Sequence, residues 1–122
     1  MEPLTRPSAF DGGQKIRLLH AEVGGYVRAI VDKFFVTLPK RLAALSRAFA
    51  ASDLPSIQRE AHKLKGAAAT LGADLMVQLC CQLEEQSRAG QRPSDALLTA
   101  LQDDAREVVR EMNRTLDALQ SG

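Results

Sequence analysis

The sequence predicts an all-α chain: an antiparallel up-down four-helix bundle with a short extra helix at its N-terminal end. Apolar residues recur at three- and four-residue steps over long stretches, the period of a helix with one buried face. These stretches are separated by short turn-forming clusters at Gly24-Gly25, Ser52-Asp53, Gly72 and Gly90-Gln91-Arg92-Pro93. No segment alternates apolar and polar residues as a half-buried strand would.

The composition agrees with this. At 122 residues the chain is one domain, large enough for a single packed core. Hydrophobic residues make up 45% but aromatics only 4%, and Trp is absent, so Leu, Ala, Val and Ile must build that core. The net charge is +1 with the two signs interspersed, which argues against a nucleic-acid binder. No apolar run approaches the ~20 residues of a membrane span. The opening Met-Glu-Pro-Leu-Thr-Arg lacks the apolar centre of a signal peptide. Cys80 and Cys81 are adjacent, so a bridge between them would be badly strained. Free thiols in a reducing compartment, the cytosol by default, are expected.

In chain order, residues 1–10 contain Pro3 and Pro7 and little pattern, and read as a flexible lead-in or linker remnant; the bundle domain spans residues 11–120. A short helix is predicted from near Gly13 to Glu22, with Ile16, Leu18 and Leu19 making apolar contacts and Gly24-Gly25 ending it. A long second helix runs from about Tyr26 to Ala51, its inner face formed by Val27, Val31, Phe34, Leu38, Leu42, Leu45 and Phe49. Ile30 and Phe35 lie on the edges of that face. Pro39 falls within the pattern and should bend the helix rather than end it, because the period resumes beyond it. Ser52 or Asp53 caps a third helix, with Pro55 in its first turn and Gly72 as its C-terminal cap. A fourth helix from about Asp74 to Arg88 turns Leu75, Met76, Leu79 and Leu83 inward. The fifth starts at Pro93 or Ser94 and carries Leu97, Leu98, Leu101, Val108, Met112, Leu116 and Leu119.

The third helix holds the chemistry. Leu54, Ile57, Ala61, Leu64 and Ala68 form its core-facing stripe, while Gln58, His62, Lys65, Gly66 and Ala69 form a second stripe on its flank. His62 therefore faces solvent, with a cation at i+3 and a glycine at i+4. Gly inside a helix costs roughly 1 kcal/mol relative to Ala, and Gly66 stands directly before three alanines. A bare backbone beside the ring leaves room for something to approach it, and Lys65 is placed to meet negative charge arriving there. A free imidazole, with a pKa of about 6.5, is a competent nucleophile near neutral pH. The constellation suits a histidine that accepts a phosphoryl group from another protein. Gln58, Lys63 and Ala69 are expected to contact that partner, although Lys63 is rotated about 100° from His62 around the helix.

His62-Lys63-Leu64-Lys65-Gly66, the small residues after it, and Leu71-Gly72-Ala73 resemble the signature of histidine-containing phosphotransfer (HPt) domains. Leu75, Leu79 and Leu83-Glu84 follow at the family's spacing, and Phe34 to Leu42 resembles its long second helix, proline included. The resemblance covers residues 11 to 118. It implies that His62 attacks through Nε2 and holds the phosphoryl as a phosphoramidate, that Lys65 offsets the phosphoryl charge, and that Gly66 keeps the approach open. Ala67 and Ala68 stand where relatives often carry small hydroxyl residues, and Thr70 where they often carry Asn; the alanines keep the smallness but lose hydrogen bonds. Glu84 and Arg88 match positions that lie near the phosphohistidine in some relatives, but a solvated i,i+4 ion pair is the expected reading. The resemblance also implies that no cofactor is bound by this domain, with Mg²⁺ held by the partner.

The implied partners are receiver domains of response regulators or of a hybrid histidine kinase, in the cytoplasm or on the cytoplasmic part of a membrane sensor kinase. The expected function is a phosphocarrier rather than an enzyme, relaying phosphoryl from a receiver aspartate to another receiver. The alternative is an unphosphorylated module of the same fold that sequesters a receiver. No glycine-rich nucleotide loop, kinase ATP-binding box or receiver-type acidic cluster occurs in the sequence. His20, lacking a neighbouring cation or glycine, is expected to be structural or solvated. Two lone histidines do not make a metal site. Cys80 is expected at the edge of the core and Cys81 more exposed.

Overall fold

The computed structural model describes residues 10–121. Five helices follow one another: α1 (Gln14–Val23), α2 (Tyr26–Ala50), α3 (Leu54–Leu71), α4 (Asp74–Arg88) and α5 (Asp95–Ser121). Helices α2 to α5 pack in sequence and α5 returns against α2, closing an up-down bundle, while α1 lies against α2 and α3.

Each turn has an identifiable cause. Asp53 caps α3: its Oδ1 accepts from the Ser56 N–H at 3.2 Å and its Oδ2 from the Ser56 hydroxyl at 2.6 Å. These hydrogen bonds hold the Asp53 carboxyl below the usual carboxylate range. Ser52 instead takes the left-handed turn conformation, φ +50°. At the other end of α3, Gly72 has φ +82° and the Ala73 N–H closes back onto the Ala68 carbonyl at 3.0 Å. So short a connection makes α3 and α4 an antiparallel pair, and they share the most extensive contact in the molecule. Arg92, in the α4–α5 turn, donates to the Phe49 carbonyl at 2.8 Å and to Ser52 Oγ at 3.0 Å, and lies 5.3 Å over the Phe49 ring. Both turns at that end of the bundle are thereby joined.

Ile16, Val31, Leu45, Ile57, Leu64, Met76, Leu83, Leu101, Val108 and Met112 make the centre of the core. All five members of the α3 stripe are buried except Leu54, which is half-buried, and Leu42 is likewise half-buried on α2. Ile30 and Phe35 sit at the edges of the α2 face. Helix α2 continues unbroken through Pro39.

One expectation needs correction. Leu18 is 59% exposed rather than packed, because it lies 200° around α1 from the fully buried Ile16. Leu75 packs against the core from its edge, half-buried, and Met76 one position on takes the central place. Helix α5 runs from Asp95, with Ser94 just before it accepting from the Leu97 N–H and Pro93 buried in the turn. The lead-in expected over 1–10 falls outside the described residues except for Phe10, which is buried in the core.

The N-terminal attachment is specific. Asp11 Oδ1 accepts from the N–H groups of Gly13 and Gln14 at 2.9 and 3.0 Å, and Oδ2 from that of Lys15 at 3.1 Å. The Asp11 N–H then donates to the Gly72 carbonyl at 3.0 Å. The start of α1 is thus pinned to the end of α3.

Candidate functional site

His62 stands on the outer flank of α3 with its side chain 70% exposed. Its neighbours along the helix, Ala61 and Leu64, are fully buried, so the helix is locked at that point and the ring projects from a rigid base. Across the α3–α4 seam lies Glu84, with its side chain only 5% exposed. His62 Nδ1 is 2.9 Å from Glu84 Oε2. Lys65 Nζ is 2.5 Å from Glu84 Oε1, and Arg88 reaches to 3.9 Å of Oε2. His62 Nε2 makes no hydrogen bond among the described residues.

Glu84 is the residue that sequence reasoning misjudged. It is not half of a solvated pair with Arg88; it is buried, and its close partners are His62 and Lys65 from another helix. Burial alone would raise its pKa, but the contacts from Lys65 and His62 outweigh burial and hold the carboxyl below the ordinary glutamate range. The same contact raises the Lys65 ammonium. A signal for this was present. Met76, Cys80 and Glu84 step by four along the buried face of α4, so an acid sits in register with core residues. Only the packing of α3 against α4 shows what that acid meets.

An ionised carboxylate can only accept a hydrogen bond, so the proton between the two groups belongs to Nδ1. The neutral ring is then the Nδ1–H tautomer, with its lone pair on the outward Nε2. Around the ring, Pro55, Gln58, Arg59, Lys63, Lys65 and Arg88 line a shallow depression of about 500 Å³. Four cations against one carboxylate make it an anion-attracting surface. Arg59, which the sequence reading passed over, belongs to this rim and is held by Ser56 Oγ at 3.0 Å. Lys63 points toward Glu60, at 4.0 Å. Gly66 and Ala69 continue the exposed flank, and a Cβ added at Gly66 would meet nothing within 4 Å. The space left by that glycine is open to solvent and required by nothing within the molecule.

The larger depression, about 620 Å³ between α2 and α5, is lined by Leu38, Pro39, Leu42, Ala105 and Val109 and lies away from His62. Its one charged side chain is Arg106, and Ser46 and Gln102 are its other polar residues; no carboxylate, histidine or cysteine lines it. Cys80 is fully buried, with its thiol pushed up to about 12 chiefly by that burial; Cys81 is partly exposed. His20 is half-buried near the end of α1.

A helical bundle that offers one outward imidazole nitrogen from a cationic depression has the build of a protein phosphocarrier. The family model for the Hpt domain matches residues 29–122, and the chain belongs to that family, the histidine phosphotransfer domains. In structure it is similar to histidine-containing phosphotransfer protein B from Pseudomonas aeruginosa, with a TM-score of 0.81 and 25% sequence identity over 89% of this chain and 95% of that one. No curated protein matches the sequence. The family match begins within α2, so α1 and its Asp11 attachment lie outside it. Among the described residues no helix is long and apolar enough to cross a membrane.

Proposed function

We propose that this domain carries a phosphoryl group on His62 Nε2, taking it from the aspartyl phosphate of one receiver domain and passing it to the aspartate of another. The observation that carries this reading is the 2.9 Å contact between His62 Nδ1 and the buried Glu84, which leaves Nε2 as the free, outward nucleophile. In the forward step the Nε2 lone pair attacks phosphorus in line and the P–O bond to the receiver aspartate breaks. The bonding electrons leave with that carboxylate. Mg²⁺ and a lysine on the receiver would steady the transferring oxygens. This chain supplies a positioned nucleophile, with Lys65 beside it to offset the incoming charge.

Docking uses the surface that surrounds the ring. Gly66 and Ala69 present little bulk, Gln58 and Lys63 flank them, and the Arg59 and Arg88 guanidiniums draw an acidic partner face. A carrier must release its partner after each transfer, so a small and transient interface suits the task.

The test is label transfer from a panel of phosphorylated receivers to the wild type beside His62→Gln. Acid-labile, base-stable label on the wild type alone is expected. A receiver that binds both proteins and labels neither would replace carriage by sequestration.

A further inference from the structure

We propose that Glu84 keeps a proton on His62 Nδ1 throughout the transfer cycle, so that the phosphoryl departs from a phosphoimidazolium and onward transfer needs no proton donor. This rests on the reading of His62 as the phosphoryl carrier and extends it to the state after loading.

Before transfer the ring is neutral, with its proton on Nδ1, directed at Glu84 Oε2 2.9 Å away. When Nε2 takes the phosphoryl, the new P–N bond uses the Nε2 lone pair and the Nδ1 proton stays where it was. The ring is now cationic. In water such a ring can release the proton, and the neutral phosphoimidazole that remains must expel imidazolate, a far poorer leaving group. A carboxylate fixed against Nδ1 opposes that loss. In the onward step a receiver carboxylate attacks phosphorus, the P–Nε2 bond breaks, and its electron pair returns to Nε2. The starting tautomer is regenerated with no proton moved. The same acid therefore prepares the nucleophile and keeps the leaving group neutral.

The surrounding charges compete for this acid without displacing it. From α3, Lys65 occupies Oε1 and leaves Oε2 to the ring. On α4, Arg88 lies 3.9 Å from Oε2, and the thiols of Cys80 and Cys81 lie within electrostatic reach of Glu84 and Lys65 respectively. From α5, Asp104 lies within electrostatic reach of the Cys80 thiol. Arg59 and Lys63 line the depression from α3, Lys63 drawn toward Glu60 at 4.0 Å, and the group within hydrogen-bond distance of Nδ1 is Glu84. Burial keeps bulk water from replacing it: the Glu84 side chain is 5% exposed. A glutamine in its place could donate to a bare Nδ1 as readily as it accepts from Nδ1–H, and so would not discriminate between the two ring forms.

The experiment follows the ring nitrogens by NMR in histidine-labelled protein loaded with potassium phosphoramidate, a donor that bypasses any receiver. Wild type and Glu84→Gln are titrated with pH, and single-turnover transfer to a receiver is timed over the same range. Nδ1 of the phosphorylated ring is expected to lose its proton about one pH unit or more higher in the wild type than in the variant. The transfer rate should hold to a correspondingly higher pH. Equal midpoints, or a rate ratio that does not change with pH, would overturn the proposal and leave Glu84 a purely structural acid. Should Glu84→Gln fail to fold, the wild type unfolded in urea serves as reference, and a native midpoint no higher than the unfolded one overturns the proposal equally. A wild type that shows no Nε2-phosphohistidine signal from any donor would overturn the carrier reading itself, and this proposal with it.

Discussion

At His62 one ring nitrogen is held by Glu84 and the other points outward. On the proposed reading, Lys65 offsets charge and Gly66 serves access to that nitrogen. Because a Cβ there would touch nothing in the free molecule, Gly66→Ala should stabilise the domain by roughly 1 kcal/mol in urea denaturation. The same change should slow transfer by about tenfold or more in single-turnover assays, since small misplacements of reacting groups are costly. A glycine required only by the fold would give the opposite result on stability. Asp104 is a second residue whose placement has a measurable cost. It is buried on α5, neither carboxyl oxygen has a hydrogen-bond partner among the described residues, and burial, with Glu107 nearby, pushes its pKa up to about 6. The folded state thus binds a proton that the unfolded chain, with an ordinary aspartate near 3.8, has already released. Stability should therefore fall as pH rises from about 4 to 6, and Asp104→Asn should remove that slope. Paired thermal melts at pH 4.5 and 7.5 check this; an equal pH dependence in both proteins would contradict it.

At the scale of elements, the join between α1 and the rest depends on one glycine. Gly72 has a left-handed φ, and its Cα faces the Asp11 carboxylate so closely that no Cβ fits between them. Gly72→Ala should destabilise the domain by about 1–2 kcal/mol from backbone strain alone. It should also displace the Asp11 cap, a loss of about 1 kcal/mol more. Hydrogen exchange separates the two effects: α1 amides should lose protection first, while those of α3 and α4 keep theirs relative to global stability. The helices themselves were legible because apolar period and caps coincide. Asp53, Pro55 and Gly72 mark both ends of α3, and α4 runs over the expected Asp74 to Arg88. The start of α5 was less legible, since Pro93 and Ser94 satisfy the same local rules as a first turn, and the contact of the Leu97 N–H with Ser94 decides between them.

For the whole molecule, charge is nearly balanced at +1 and yet gathered locally. On α5, Asp103–Arg106, Glu107–Arg110 and Glu111–Arg114 neutralise one another along the helix. Around His62, Arg59, Lys63, Lys65 and Arg88 line a depression whose one lining carboxylate is Glu84, with Glu60 beside Lys63. Association with a receiver should then weaken as salt rises. Arg59→Glu should slow association by about tenfold at low salt, with stability altered by within about 0.5 kcal/mol. Stopped-flow binding at two ionic strengths, beside urea melts, reads both. An association rate insensitive to salt in the wild type would remove the steering role assigned to this rim.

The helices, their order, the core stripes and the outward histidine with its lysine and glycine could be read from the chain, because each rests on spacing within one helix. What Glu84 meets could not be. Its partners lie 22 and 19 positions away on another helix, and whether an acid in an apolar register is a solvated edge or a buried anchor depends on how α3 and α4 meet. The attachment of Asp11 to Gly72 was hidden for the same reason. A helix period reports which side of a chain is buried; it carries no information about which side chain waits on the other element.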